Sequence, residues 1–112
     1  MTRAEAVAAV VRDLEDWTAR FLAAARAGDP ARVEAAVGGL ADWLGHDLVD
    51  AFRQIDVPTW EALSAVAEEL FQGFRAAQAG AGSCAGSPRA WWPAAAEGCE
   101  AILRKARAIR DA

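Results

Sequence analysis

The chain has 112 residues, of which 54% are hydrophobic and 25% charged, and its formal net charge is −4. This length and composition predict one globular domain with a single core. The negative charge excludes a sequence-independent grip on nucleic acid or on an anionic membrane, because both depend on clustered lysines and arginines. Two cysteines are too few for a disulfide framework. No apolar run reaches the ~18 residues of a membrane span. The first residues are acidic, whereas a signal peptide would begin with basic residues. We therefore expect reduced thiols and a cytoplasmic location.

The first predicted helix covers residues 3–27. Its apolar residues recur at spacings of three and four, which places them along one side of a helix. They are Val7, Val10, Val11, Leu14, Trp17, Thr18, Phe21, Leu22 and Ala25. Gly28 is suited to the left-handed cap that ends a helix, and Asp29 followed by Pro30 is suited to begin the next one.

The same apolar spacing predicts a second helix over 30–55 and a third over 58–78, separated by a break at residues 56–58. Gly38 and Gly39 form a weak point inside the second helix, because glycine is a poor helix former. Residues 79–88 are rich in glycine, alanine and serine, a composition typical of a flexible loop. A fourth helix begins at Pro88 or at Pro93 and carries a narrower apolar stripe.

Four amphipathic helices with two short connections and one longer connection predict an all-α fold, a four-helix up-down bundle. The narrow apolar stripe of the fourth helix leaves a second arrangement open. In that arrangement three helices form the core, and the fourth is loosely docked or packs on a partner.

Five tryptophans are the most distinctive feature of the composition. Trp17 and Trp60 lie on or beside apolar stripes and are expected in the core. Trp43 lies about 120° from the centre of the stripe of its helix, and Trp91 and Trp92 cannot both point inward from one helix. Exposed tryptophans beside arginines are typical of protein interfaces. We therefore predict an interface at Trp43, Trp91, Trp92, Arg32 and Arg89.

The polar cluster with the best spacing for a metal site is Asp42, His46 and Asp50, at i, i+4 and i+8. This spacing puts two carboxylates and an imidazole along one line of a helix. A metal site needs three or four converging ligands, and this line faces away from the apolar stripe. We expect a solvated charged face, with these three residues as weak metal candidates and no bound cofactor.

The segment Trp43-Leu44-Gly45, near the middle of a short, acidic, helical chain, resembles the WXG-type substrates of type VII secretion. The resemblance covers about 40 residues, and it implies an exported helical hairpin that dimerises and carries the Trp-x-Gly at its bend. Pro30 and Pro58 depart from the long uninterrupted helices of that family.

These features together predict a non-enzymatic interaction or assembly module that binds a protein partner or forms a homo-oligomer, and that binds neither nucleic acid nor a membrane. The first alternative is a bundle that binds a small molecule or a metal, with Trp60, Phe71 and Phe74 around a pocket and His46 as the polar contact. The second alternative is a WXG-type secreted helical protein.

Overall fold

A computed structural model describes residues 2–83 and 92–112, with the backbone alone at 80–83 and 92. The described part contains four long helices, one short helix and no strand. The helices are α1 (Arg3–Ala27), α2 (Pro30–Gly45), α3 (Asp47–Ala51), α4 (Val57–Ser83) and α5 (Trp92–Asp111). The all-α prediction is confirmed.

Capping residues define the turn between α1 and α2, as the sequence predicts. Gly28 adopts the left-handed conformation with φ of 68°, and its N–H donates to carbonyls of the last turn of α1. The Asp29 carboxylate accepts a hydrogen bond of 3.2 Å from the backbone N–H of Arg32, and Pro30 occupies the first turn of α2.

The helix predicted over 30–55 is interrupted at His46. Its φ and ψ of −123° and −67° lie outside the helical region, and α3 begins at the next residue. The His46 ring nitrogen Nδ1 lies 2.9 Å from the carbonyl oxygen of Asp42, which also accepts a hydrogen bond of 3.1 Å from the His46 backbone N–H. The helix is continuous at Gly38 and Gly39, the weak point expected within it.

Helix α4 extends to Ser83, five residues beyond the predicted end at 78. The expected loop at 79–88 is therefore helical over 79–83, and its remainder lies outside the described residues. The alanines of this segment favour a helix, since alanine is the best helix former, whereas each glycine between them costs about 1 kcal/mol.

The four long helices form an up-down bundle in which α1 packs against α2 and α5, and α4 packs against the same two helices. Helix α5 belongs to this core, since Cys99, Ile102, Leu103 and Ala106 are buried. At the centre, the rings of Phe21 and Phe74 stack with centroids 4.1 Å apart. Among the helices described, none combines the length and the apolar character needed to cross a membrane.

Candidate interaction surface

Trp43 is buried, with only 5% of its surface exposed, so the prediction that its indole is partly exposed to solvent is wrong. Its Nε1 donates a hydrogen bond of 3.0 Å to the carboxylate oxygen Oδ2 of Asp13 on α1. The prediction failed because it treated only the apolar stripe of α2 as covered by the rest of the bundle. In the bundle α2 contacts both α1 and α4, so a wider arc of its surface is covered.

The other predicted interface residues are only partly described. Arg32 is exposed on the first turn of α2, as expected. Trp92 is the first residue of α5, but its side chain, together with Trp91 and Arg89, lies outside the described residues. An interface at the Trp91-Trp92 corner stays a prediction.

Trp17 and Trp60 are half-buried at the edge of the core rather than fully inside it. Trp60 Nε1 donates a hydrogen bond of 2.8 Å to the carbonyl oxygen of Leu48, which attaches α3 to α4. The Trp60 and Phe52 rings also form a T-shaped pair, with centroids 5.1 Å apart and an interplanar angle of 89°. Both polar and apolar contacts therefore fix this indole.

The three aromatic rings expected to line one small-molecule pocket, those of Trp60, Phe71 and Phe74, instead pack against different residues. Phe74 stacks on Phe21 in the core, whereas Trp60 packs on Phe52. Phe71 is half-buried, with the Arg75 guanidinium 5.9 Å from its ring centroid. His46, expected as the polar contact, is exposed.

Asp42, His46 and Asp50 are all exposed, as predicted for a solvated face. The break at His46 takes Asp50 off the helical line on which it was placed with Asp42. Within residues 2–83 and 92–112, no three His, Cys, Asp or Glu side chains are grouped so as to hold a metal ion.

Three large apolar side chains are exposed around the turn between α3 and α4. Val49, Phe52 and Val57 expose 54%, 46% and 49% of their surfaces. Val49 and Phe52 are three residues apart, and Phe52 contacts Trp60, which lies three residues after Val57 on α4. We call Val49, Phe52, Val57 and Trp60 the apolar corner.

Sequence reasoning missed the apolar corner because it extended the second helix through residue 55. In a continuous helix Phe52 falls on the apolar stripe, but the break at His46 reorients the residues that follow it. Leu48 and Ile55 remain buried, while Phe52 is half-exposed. The available signal was Gly45 followed by two polar residues, His46 and Asp47, and then by a new pair of apolar residues.

Exposed carboxylates lie close to the apolar corner in sequence, and two of them, Asp47 and Asp50, also line a groove against α1. Asp47 and Asp50 belong to α3, and Glu61 follows Trp60 on α4, with Arg53 as the nearby base. Asp56 is engaged within the chain, because it pairs with Arg3 and its Oδ2 accepts a hydrogen bond of 2.7 Å from the Thr59 hydroxyl. The hydrogen bond from Arg3, followed by that from Thr59, lowers the Asp56 pKa to about 2.

The basic residues near the end of α5 attach it to its neighbours. Arg107 lies 2.9 Å from a carboxylate oxygen of Glu15 on α1 and 2.6 Å from one of Glu100, and these hydrogen bonds, that to Glu100 first, raise its pKa. Lys105 lies 2.9 Å from Glu69 on α4. These charges therefore have partners inside the bundle.

The two-helix hairpin implied by the WXG resemblance is not the fold found, since four long helices pack together. Trp43-Leu44-Gly45 forms the end of α2, directly before the break at His46. Comparison of the chain with family models, curated proteins and solved structures gives no match.

Proposed function

We propose that this chain is a non-enzymatic protein-binding module whose contact surface is the apolar corner. The observation that carries the proposal is the exposure of 46–54% at Val49, Phe52 and Val57, which lie within nine residues of one another. Contiguous exposed apolar side chains with a polar border are typical of protein interaction sites. The aromatic pair of Phe52 and Trp60 would supply the anchor, since rigid aromatic rings dominate interface energetics.

The charges around the apolar corner favour a partner segment that carries both apolar and basic side chains. Asp47, Asp50 and Glu61 outnumber Arg53, the nearby base, and complementary charge speeds association and rejects wrong partners. A two-fold contact between copies would place the same acidic border against itself. We therefore favour a different protein over a second copy.

The surroundings of two potentially reactive groups do not activate them. The Cys99 thiol is buried, and burial raises its pKa to about 11, so the nucleophilic thiolate is disfavoured. His46 is exposed, and its ring contacts the backbone of its own helix.

Site-specific photocrosslinking in the source cells tests the surface. Phe52 is replaced by p-benzoylphenylalanine in one variant, and Ala65, exposed on α4, is replaced in a matched control. We expect one protein crosslinked at position 52 and not at 65, through a segment rich in apolar and basic residues. Equal crosslinking at both positions, or a crosslinked second copy of this chain, would contradict the proposal.

A synthetic peptide with the sequence of the crosslinked partner segment is then titrated against this chain to measure its binding affinity. We expect Phe52→Ser to weaken its binding by about tenfold or more, because truncating an aromatic anchor costs ~2 kcal/mol, whereas Ala65→Ser leaves it unchanged. Binding should also weaken as salt is added, since part of the attraction is between exposed charges. An unchanged affinity for Phe52→Ser would exclude the apolar corner as the contact.

A further inference from the structure

A groove of about 400 Å³ lies between α1 and the first turns of α2, at the opposite end of α2 from the apolar corner. Trp17 and Arg20 of α1 form one wall, and Arg32, Ala35 and Ala36 of α2 form the other. The groove is shallow and open to solvent along one side.

Gly39 determines where the indole of Trp17 lies. A Cβ at this position would overlap the ring carbons Cη2 and Cζ3 of Trp17, so the ring can rest on the backbone of α2 only because residue 39 is glycine. The Arg20 guanidinium lies 4.8 Å from the Trp17 ring centroid. A cation held over an aromatic face is restrained by the ring quadrupole, so the wall contains an oriented guanidinium.

The two arginines of the groove are exposed, and in the part of the chain that the structure describes neither forms an ion pair. Two positive charges on the walls of one groove make it favourable to an anion. Guanidinium groups match the planar geometry of a carboxylate, to which each can donate two hydrogen bonds.

We propose that this groove binds a small organic carboxylate with an apolar body. The carboxylate lies between the guanidinium groups of Arg20 and Arg32, and the apolar body lies against the exposed edge of Trp17 and the methyl groups of Ala35 and Ala36. The site is separate from the apolar corner and does not depend on it.

Titration of the isotope-labelled chain with phenylacetate, followed by NMR, tests the ligand chemistry. We expect the indole N–H signal of Trp17, assigned with a Trp17→Phe variant, and the amide signal of Ala35 to shift in a saturable manner. Phenylacetamide keeps the ring without the charge, and acetate keeps the charge without the body. Phenylacetamide and acetate should each bind at least about tenfold more weakly than phenylacetate, because the first loses the contacts of the carboxylate and the second those of the ring.

Substitutions on the two walls test the site. We expect Arg20→Gln and Arg32→Gln each to weaken phenylacetate binding by about fivefold or more, and the double variant to remove the saturable shift. Arg12→Gln, an exposed arginine of α1 outside the groove, is the matched control and should bind as the parent does. Helical circular dichroism checks that each variant is folded. Equal shifts with phenylacetamide, or an equal loss in the Arg12 variant, would overturn the proposal.

Discussion

The indole nitrogen of Trp43 and the carboxylate of Asp13 are joined by a hydrogen bond of 3.0 Å between α2 and α1. The Trp43 side chain carries one polar atom, and Asp13, which is half-buried, satisfies it. The ring can therefore be enclosed without an unpaired donor, whose burial would destabilise the fold. Trp43 is a structural residue in this bundle.

Substitutions at Trp43 should therefore change stability. We expect Trp43→Phe to lower the free energy of unfolding by about 1 kcal/mol, because the apolar ring remains and the hydrogen bond is lost. Trp43→Ala should cost roughly 3–5 kcal/mol, since it also opens a cavity. Urea denaturation measures both values. A cost below about 1 kcal/mol for Trp43→Ala would contradict the burial of the ring.

Adjacent glycines in α2 should respond in opposite directions to the same substitution. A Cβ at Gly38 meets nothing within 4 Å, so Gly38→Ala should stabilise the chain by up to about 1 kcal/mol through helix propensity. A Cβ at Gly39 overlaps the Trp17 ring, so Gly39→Ala should destabilise the chain and raise the exposure of that indole. Thermal unfolding of the pair measures the difference, and equal shifts in Tm would contradict the packing of Trp17.

Asp56 should contribute to the loss of stability in acid. Its folded pKa of about 2 is below the usual 3.8, so the carboxylate stabilises the fold above about pH 4, and this contribution is lost as the pH falls towards 2. Asp56→Asn keeps an N-cap acceptor but loses the ion pair with Arg3. We expect stability to fall less steeply in the variant between pH 4 and 2.

Asp16→Asn is the control for this titration, because Asp16 is exposed on α1 and forms no ion pair among the described residues. Its pH profile should match that of the parent chain. If Asp56→Asn also matches the parent, the pairing with Arg3 does not persist in solution.

Cys99 should react with a thiol reagent only when the chain unfolds. Its side chain is buried, with 4% of its surface exposed, and burial raises its pKa to about 11. In a Cys84→Ser variant, which leaves Cys99 as the single thiol, we expect labelling by dithionitrobenzoate to be about a hundredfold slower in the native chain than in urea. Comparable rates would show that α5 separates readily from the bundle.

Much of the fold could be predicted from the spacing of apolar residues and from capping chemistry. The turn at Gly28, Asp29 and Pro30 has the residues that its caps require, and α1 has the predicted bounds. The break at His46 was missed because helix spacing alone does not say where a chain must turn to reach its neighbours. The packing role of Gly39 was missed because the space needed by Trp17 arises only after α1 and α2 meet.

The candidate sites were less predictable for the same reason. Arg32 was correctly expected on the surface, but its proximity to Trp17 and Arg20 depends on how α1 and α2 pack. Trp43 was predicted at the surface from its angle to the apolar stripe of its own helix, which does not include the surface covered by neighbouring helices. The exposure of Phe52 follows from the break at His46, so the error in that helix boundary concealed the exposed apolar residues after it.

The pairing of Arg107 with Glu15 joins residues 92 positions apart, and α5 packs against α1. During synthesis α1 therefore leaves the ribosome long before the helix that completes its shielding. Until α5 emerges, the surface of α1 that packs against it is accessible to chaperones and to neighbouring nascent chains. The order of the helices along the chain thus makes final assembly a late event that follows translation of α5.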